Sequence, residues 1–204
     1  MQCLSKSFIL LMGLLLAASL AVVGCGKKDS AAQDLAALSA GPQFSTSRDE
    51  EGFVVQHFDA TGDGVADVIR YFEEFPDPSN PAVTRRRMRK MEIDVNGDGK
   101  VNIRRFYDDH VNIHREELDK TLDGKIDTIN HYDGSNLARK EILDPGENRV
   151  LATRYYTRNV IERVEKDTSG NDQIDYWEYY EEGVLTRVGR DHTGDGRADH
   201  WQQR

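Results

Sequence analysis

Asp94-Val95-Asn96-Gly97-Asp98-Gly99-Lys100-Val101-Asn102 is the stretch from which the rest of the chain can be read. It places side-chain oxygens at positions 1, 3, 5 and 9, with a glycine at position 6 where the chain must turn sharply. An odd-position series of hard oxygens turned toward one centre is what a calcium ion asks of a loop, because it takes six to eight oxygen ligands. Four further stretches keep the series: Asp59/Thr61/Asp63/Asp67, Asp119/Thr121/Asp123/Asp127, Asp167/Ser169/Asn171/Asp175 and Asp191/Thr193/Asp195/Asp199. The carbonyl at position 7 is the expected additional ligand, from Val65, Lys100, Lys125, Gln173 and Arg197. Position 8 is apolar in all five (Ala66, Val101, Ile126, Ile174, Ala198), suited to anchoring the exit of the loop.

The loops recur in phase. Opening aspartates fall at 59, 94, 119, 144, 167 and 191, with gaps of 35, 25, 25, 23 and 24 residues. The Pro-rich segment 73–81 accounts for the long first gap, so the unit is about 24 residues. Each loop precedes a β-branched and aromatic run, such as Val68 to Phe72, Ile103 to Tyr107, Thr128 to Tyr132 or Tyr176 to Tyr180. Turn signals follow at Asp108-Asp109, Asp133 to Asn136 and Glu181 to Gly183, then return runs Ile113 to Leu118, Leu137 to Leu143, Ile161 to Lys166 and Leu185 to Arg190. Some return runs hold good helix formers (Arg139-Lys140-Glu141, Glu162 to Glu165), but their six or seven residues suit a strand better than a helix. The expected fold is mainly β: tandem β-hairpin repeats in an extended antiparallel meander, every second connection a calcium-type loop and all such loops along one edge. Lys90, Arg115, Lys140, Arg163 and Arg187, each four residues before an opening aspartate, have stems long enough to cover apolar surface.

The first nine loop positions resemble those of EF-hand and dockerin loops. EF-hands require a bidentate acid at position 12, where this chain has Arg70, Arg105, Asn130, Glu178 and Gln202; the period also leaves no room for flanking helices. The calcium loops of integrin-type β-propeller repeats, which end their ligands at position 9 and lie between strands, are the better resemblance; it covers the loops and implies no propeller. Leu122 at position 4 and Asp172 at position 6 depart from the pattern. Asp144-Pro145-Gly146-Glu147-Asn148 reads as one residue short, without the ligand series, and no metal is expected there. The competing reading is that Asp-Gly and Asn-Gly only make turns; against it stand five copies in phase, each with an acid or amide at position 9 that a bare turn does not require. All-oxygen donors argue against zinc or iron.

At the amino end, Lys6 and the apolar run Phe8 to Val23 read as a secretory signal. Val22-Val23-Gly24-Cys25 resembles the lipobox of bacterial lipoproteins. That resemblance implies cleavage before Cys25, a diacylglycerol on its thiol, an acylated amino group and a lipid anchor in the cell envelope; Gly26 leans toward the outer membrane. The division expected is 1–24 signal peptide, 25–50 lipidated Cys25 and flexible tether, and 51–204 repeat domain. Cys3 would leave with the signal and Cys25 be lipidated, leaving no disulfide in an exported protein. Without residues 1–24 there are 26 basic and 36 acidic residues, a net charge of −10, which disfavours nucleic acid and anionic lipid.

No nucleophile elbow, phosphate loop or catalytic acid pair is visible, so the expectation is a non-enzyme. His110 and His114 fall on a turn and a strand, not the helix a zinc pair needs. Trp177 and Trp201 share a phase and suit cross-strand packing better than glycan stacking. The functional expectation is an envelope scaffold or adhesion module with structural Ca2+ and a protein or glycan partner; the alternative is a lipoprotein enzyme or calcium-responsive regulator.

Overall fold

The structure, a computed structural model, describes residues 43–144, 146–147 and 149–204; the signal segment and Cys25 lie outside the described residues. Among the described residues thirteen strands follow one another: β1 (Gln43–Arg48), β2 (Val54–Asp59), β3 (Val68–Asp77), β4 (Asn80–Ile93), β5 (Ile103–Tyr107), β6 (Ile113–Leu118), β7 (Thr128–Asp133), β8 (Asn136–Leu143), β9 (Val150–Thr157), β10 (Val160–Lys166), β11 (Tyr176–Glu181), β12 (Val184–Arg190) and β13 (His200–Gln203). They form one sheet in which spatial order equals chain order and every pair is antiparallel. This is the meander of hairpins expected from the repeats. The sheet begins inside the segment read as tether: Gln43 to Arg48 pairs in register with Asp59 to Val54. Ser45-Thr46-Ser47 looks like a chain breaker by composition, yet a polar edge strand needs only a partner and a solvated outer side.

Each strand packs only against its neighbours in sequence, so among the described residues no second layer covers the sheet. The apolar core is correspondingly thin, with Val54, Val164 and Val188 the most buried of its members at 2% exposure. Much of the remaining cover is charged. One row crosses the sheet as Tyr71, Lys90, Phe106, Arg115, His131, Arg139, Tyr155, Arg163, Tyr179 and Arg187, each directly opposite the next. Rings and cations alternate because odd strands supply the aromatics and even strands the stems. Lys90 Nζ lies 3.8 Å from the centre of the Tyr71 ring, and the guanidinium carbons of Arg115 and Arg163 lie 5.4 and 4.2 Å from those of Phe106 and Tyr155. Each contact contributes roughly 0.5–1 kcal/mol at a half-exposed site. Two residues on, glutamates pair with the same cations: Lys90–Glu92 at 3.3 Å, Arg115–Glu117 at 2.7 Å, Arg139–Glu141 at 2.9 Å and Arg163–Glu165 at 3.2 Å.

Lys140 does not join this row; Arg139 stands there. The reason lies in the register of the degenerate unit. Leu143, not Asp144, occupies the opening position: its N–H bonds the Asp127 carbonyl at 2.9 Å, as Asp94, Asp119, Asp167 and Asp191 bond the carbonyls of Asp67, Asn102, Leu151 and Asp175. The unit is therefore not short but has the full nine positions from Leu143 to Leu151, with leucine at positions 1 and 9. Lys140 falls on the opposite face, where burial lowers its pKa.

The segment 73–81 lengthens one hairpin instead of looping out. β3 and β4 run past the neighbouring strands and are held by Arg87–Glu73, Arg86–Glu74 and Arg85–Asp77 pairs. At its tip, Ser79 donates from both hydroxyl and backbone to Asp77, which with Arg85 brings that carboxyl down to about 2.

Candidate metal-binding loops

In an antiparallel meander the connections alternate between the two ends of the strands. Loops 60–67, 94–102, 119–127, 167–175 and 191–199 accordingly lie at one end, as does the connection from β8 to β9, and the tight turns lie at the other. Each ligand-bearing loop is closed by a bond from the position 9 N–H to the carbonyl before position 1, at 2.9–3.0 Å in all five.

Within this frame the carboxylates hold the backbone. The position 1 aspartate accepts the N–H of position 4 on one oxygen and that of position 6 on the other. For Asp119 these are Leu122 and Gly124, both at 2.7 Å; for Asp94, Gly97 at 2.8 Å and Gly99 at 2.7 Å. Asp59, Asp167 and Asp191 repeat the pattern with Gly62/Gly64, Gly170/Asp172 and Gly194/Gly196. Burial alone would raise the pKa of Asp59, Asp119, Asp167 and Asp191, but these donors outweigh it and hold all four below the ordinary carboxylate value. Position 5 (Asp63, Asp98, Asp123, Asn171, Asp195) accepts the N–H of position 7 (Val65, Lys100, Lys125, Gln173, Arg197) at 2.8–3.0 Å.

Position 9 also has a backbone role. Asp67, Asp127, Asp175 and Asp199 each accept the N–H groups of positions 2 and 3, and Asn102, 1% exposed, accepts that of Val95 at 2.8 Å. A turn closed in this way does use an acid or amide at position 9, to tie the first turn of the loop to its last, so that residue by itself does not separate a metal loop from turn chemistry. Leu122 and Asp172, the two departures from glycine, adopt φ of 60° and 64°, the left-handed region that costs an L-residue roughly 1–2 kcal/mol.

The remaining lone pairs decide whether a cation fits. An ionised carboxylate has about four acceptor sites, so two N–H donors leave it with capacity. The position 3 hydroxyl lies 3.1–3.4 Å from a position 1 carboxylate oxygen in the loops of Thr61, Thr121, Ser169 and Thr193. Two oxygens at right angles around one calcium ion, each about 2.4 Å from it, are about 3.4 Å apart. In the Asp119 loop the Thr121 hydroxyl lies 3.4 Å from Asp119 and 3.3 Å from Asp127, so positions 1, 3 and 9 converge there. In the Asp94 loop Asn96 instead turns its amide nitrogen to Asp98 at 3.1 Å. Among the described residues no three His, Cys, Asp or Glu side chains gather closely enough to hold an ion by themselves; the third donor in these loops is a hydroxyl, or the Asn96 amide.

The loops also touch one another through position 7. Lys100 reaches the Asp123 carbonyl at 3.3 Å and lies over Gly124, where a Cβ would meet its stem at 2.9 Å. In the degenerate unit the same position is Arg149, whose guanidinium is 3.0 Å from Asp167 and covers Gly170. The sequence reading missed Arg149; counting 24 residues from Asp119 to Leu143 and again to Asp167 would have placed it.

No family model matches this chain, and no curated protein matches it. Among solved structures, the crystal structure of TarM is similar over 65% of this chain, at 13% identity and a TM-score of 0.36. A point mutant of S. aureus TarM in complex with Fondaparinux, alpha-GlcNAc-glycerol and UDP is similar over 75%, at 9% identity and a TM-score of 0.30. The chain spans 24% and 22% of the length of those proteins. Likeness at this level supports no inference about fold or function.

Proposed function

We propose that this chain is an exported, lipid-anchored envelope protein whose β-repeat domain is stabilised by structural calcium and serves as a scaffold or binding module. The observation that carries the calcium reading is the convergence of Asp119, Thr121 and Asp127, with position 1 and position 3 oxygens equally close in three further loops. When bound, calcium would supply positive charge to loops whose carboxylates already hold the backbone, adding its binding energy to folding. Five divalent ions would bring +10 to a mature chain of net charge −10, so the apo form is expected to be loosened by self-repulsion.

The test is a titration of the chain from Gly26 onward with Ca2+ and, separately, Mg2+, read by circular dichroism and melting temperature. A rise in melting temperature with Ca2+ in the micromolar to millimolar range, and none with Mg2+, supports the reading. No response to Ca2+ reduces the aspartate series to turn chemistry. The anchor is tested separately: Cys25→Ala should move the protein from the membrane to the soluble fraction, and retention at the membrane would remove that part of the proposal.

A further inference from the structure

The last hairpin breaks the rule kept by four others. Where Glu92, Glu117, Glu141 and Glu165 sit two residues after a row cation and pair with it, β12 has Arg187-Val188-Gly189. Glycine weakens a strand unless a ring or another group must approach the backbone closely. Here the group is Trp201, directly opposite on β13: a Cβ at Gly189 would lie 2.8 Å from its ring. Among the described residues Arg187 pairs with no carboxylate. Its guanidinium stacks between Tyr179 and Trp201, 4.7 and 4.4 Å from the two ring centres. Those rings are 5.9 Å apart, and Trp201 is 43% exposed. Cross-strand packing accounts for a ring over a glycine, but not for giving up the ion pair that the other units keep.

Two hollows adjoin this platform and share Tyr179 and Tyr180. One, of about 320 Å³, adds Glu181, Thr186, Arg187 and Gln203; the other, of about 500 Å³, adds Tyr155, Glu162 and Arg163 among its lining. Tyr155 and Tyr179 stand two strands apart in one row, roughly 10 Å. Arg163 is already paired with Glu165 and Arg187 stands beside Glu181, with Glu162 nearby, so the groove has no excess positive charge to hold a polyanion and too few free carboxylates to hold a polycation. Aromatic faces beside paired donors and acceptors suit a ligand with apolar C–H faces and many hydroxyls.

We propose that the face of β9–β13 that carries this aromatic row binds a neutral oligosaccharide, a chain of pyranose rings running from Trp201 beside the last loop past Tyr179 to Tyr155, with Arg187 donating to hydroxyl pairs. This names the partner class of the binding module proposed above and rests on that reading, but it does not depend on calcium.

The test uses the full chain in a non-glycosidic detergent, titrated with cellohexaose, maltohexaose and chitohexaose, and with polygalacturonate and hexalysine as charged controls. Trp177 and Trp201 are the only tryptophans, so fluorescence reports on the groove. Saturable quenching by a neutral hexasaccharide is expected, weakened roughly tenfold or more by Trp201→Ala and by Arg187→Gln. Trp201→Phe should retain most of the affinity and the fold, and Phe44→Ser, on the far edge strand, should change nothing. No saturable response to any neutral hexasaccharide, binding confined to the charged controls, or Trp201→Ala and Arg187→Gln variants that bind as tightly as the parent would overturn the proposal. Titrations in Ca2+ and in EDTA separate the two readings. Sugar binding with no effect of Ca2+ on melting sinks calcium alone, whereas a Ca2+ effect without sugar binding sinks the groove alone.

Discussion

Asp119→Ala is the sharpest probe of the loops, because it separates what the carboxylate does for the backbone from what it does for a cation. Asp119 is buried and accepts the N–H groups of Leu122 and Gly124 at 2.7 Å, with Asp123 at 3.3 Å. Hydrogen bonds to an ionised group contribute about 1.5–3 kcal/mol each. Leu122 is 41% exposed, so water recovers part of the loss, and a cost of about 3 kcal/mol is expected for the two short bonds. In a chain of this size that is roughly 6–12 °C of melting temperature. Asp119→Asn keeps one acceptor oxygen without its charge and should cost about half as much. Both variants are to be unfolded by urea in EDTA at neutral pH, followed by circular dichroism and by fluorescence. Both tryptophans lie in β11 and β13, far along the sheet from Asp119. A shift in dichroism that fluorescence does not follow would show that the β6–β7 hairpin opens locally; a common shift would show one cooperative unit. A loss below about 1 kcal/mol in EDTA, or equal losses for Asn and Ala, would refute the assignment of Asp119 as the holder of its loop.

Leu122→Gly and Asp172→Gly relieve a left-handed backbone that Gly62, Gly97, Gly64 and Gly99 adopt in the corresponding positions, and each should raise stability by about 0.5–1 kcal/mol in a urea melt. Arg149→Met keeps the stem but removes the guanidinium from Asp167, whose side chain is 1% exposed. A cost of about 1–2 kcal/mol is expected, below that of a fully orphaned buried charge because Gly170 and Asp172 still donate to the carboxylate. Acid should act through the loops: Asp119, Asp167 and Asp175 have folded pKa values below the ordinary 3.8. The unfolded chain therefore takes up protons first as pH falls. The stabilisation from these groups is complete above that value and is lost as pH drops through it toward the folded values. The urea midpoint should hold between pH 5 and 8 and fall below about pH 4; a fall beginning near pH 6 would assign acid sensitivity to other groups.

Much of this architecture was legible because the repeat is short and its two halves carry different signals. Ile103 to Tyr107 and Ile113 to Leu118 coincide with β5 and β6, and a loop-turn alternation in a meander leaves the loops no other end to occupy. The stems of Lys90, Arg115, Arg163 and Arg187 were readable from their fixed distance to the loop, since register in a hairpin follows from loop length. The same logic failed for Lys140 because Asp144 looks like an opening aspartate, while the hydrogen bonding that defines the phase belongs to Leu143. Leucine for aspartate at that position is invisible to a search for ligand oxygens. Position 9 was misjudged for a different reason: its bonds to the N–H groups of positions 2 and 3 involve no distinctive residue type at the donor end. Strand β1 was missed because an exposed edge strand has no alternating pattern to betray it. The Gly189–Trp201 contact depends on two residues that are separated by a whole loop and significant only as a pair.

Because each strand touches only the strands before and after it, the number of units is not constrained by closure or by a shared interior. Duplicating a stretch of 24 residues, from one opening position to the next, would add a hairpin and one strand-to-strand seam, while every existing neighbour kept its contacts. Losing one would heal in the same way. The unit that opens with Leu143 shows that a member can exchange the polar residues at positions 1 and 9 for leucine and still hold its place in the row. Reach is therefore the property such a chain can change most freely in evolution, lengthening or shortening its span by whole hairpins while the chemistry at its far end stays intact.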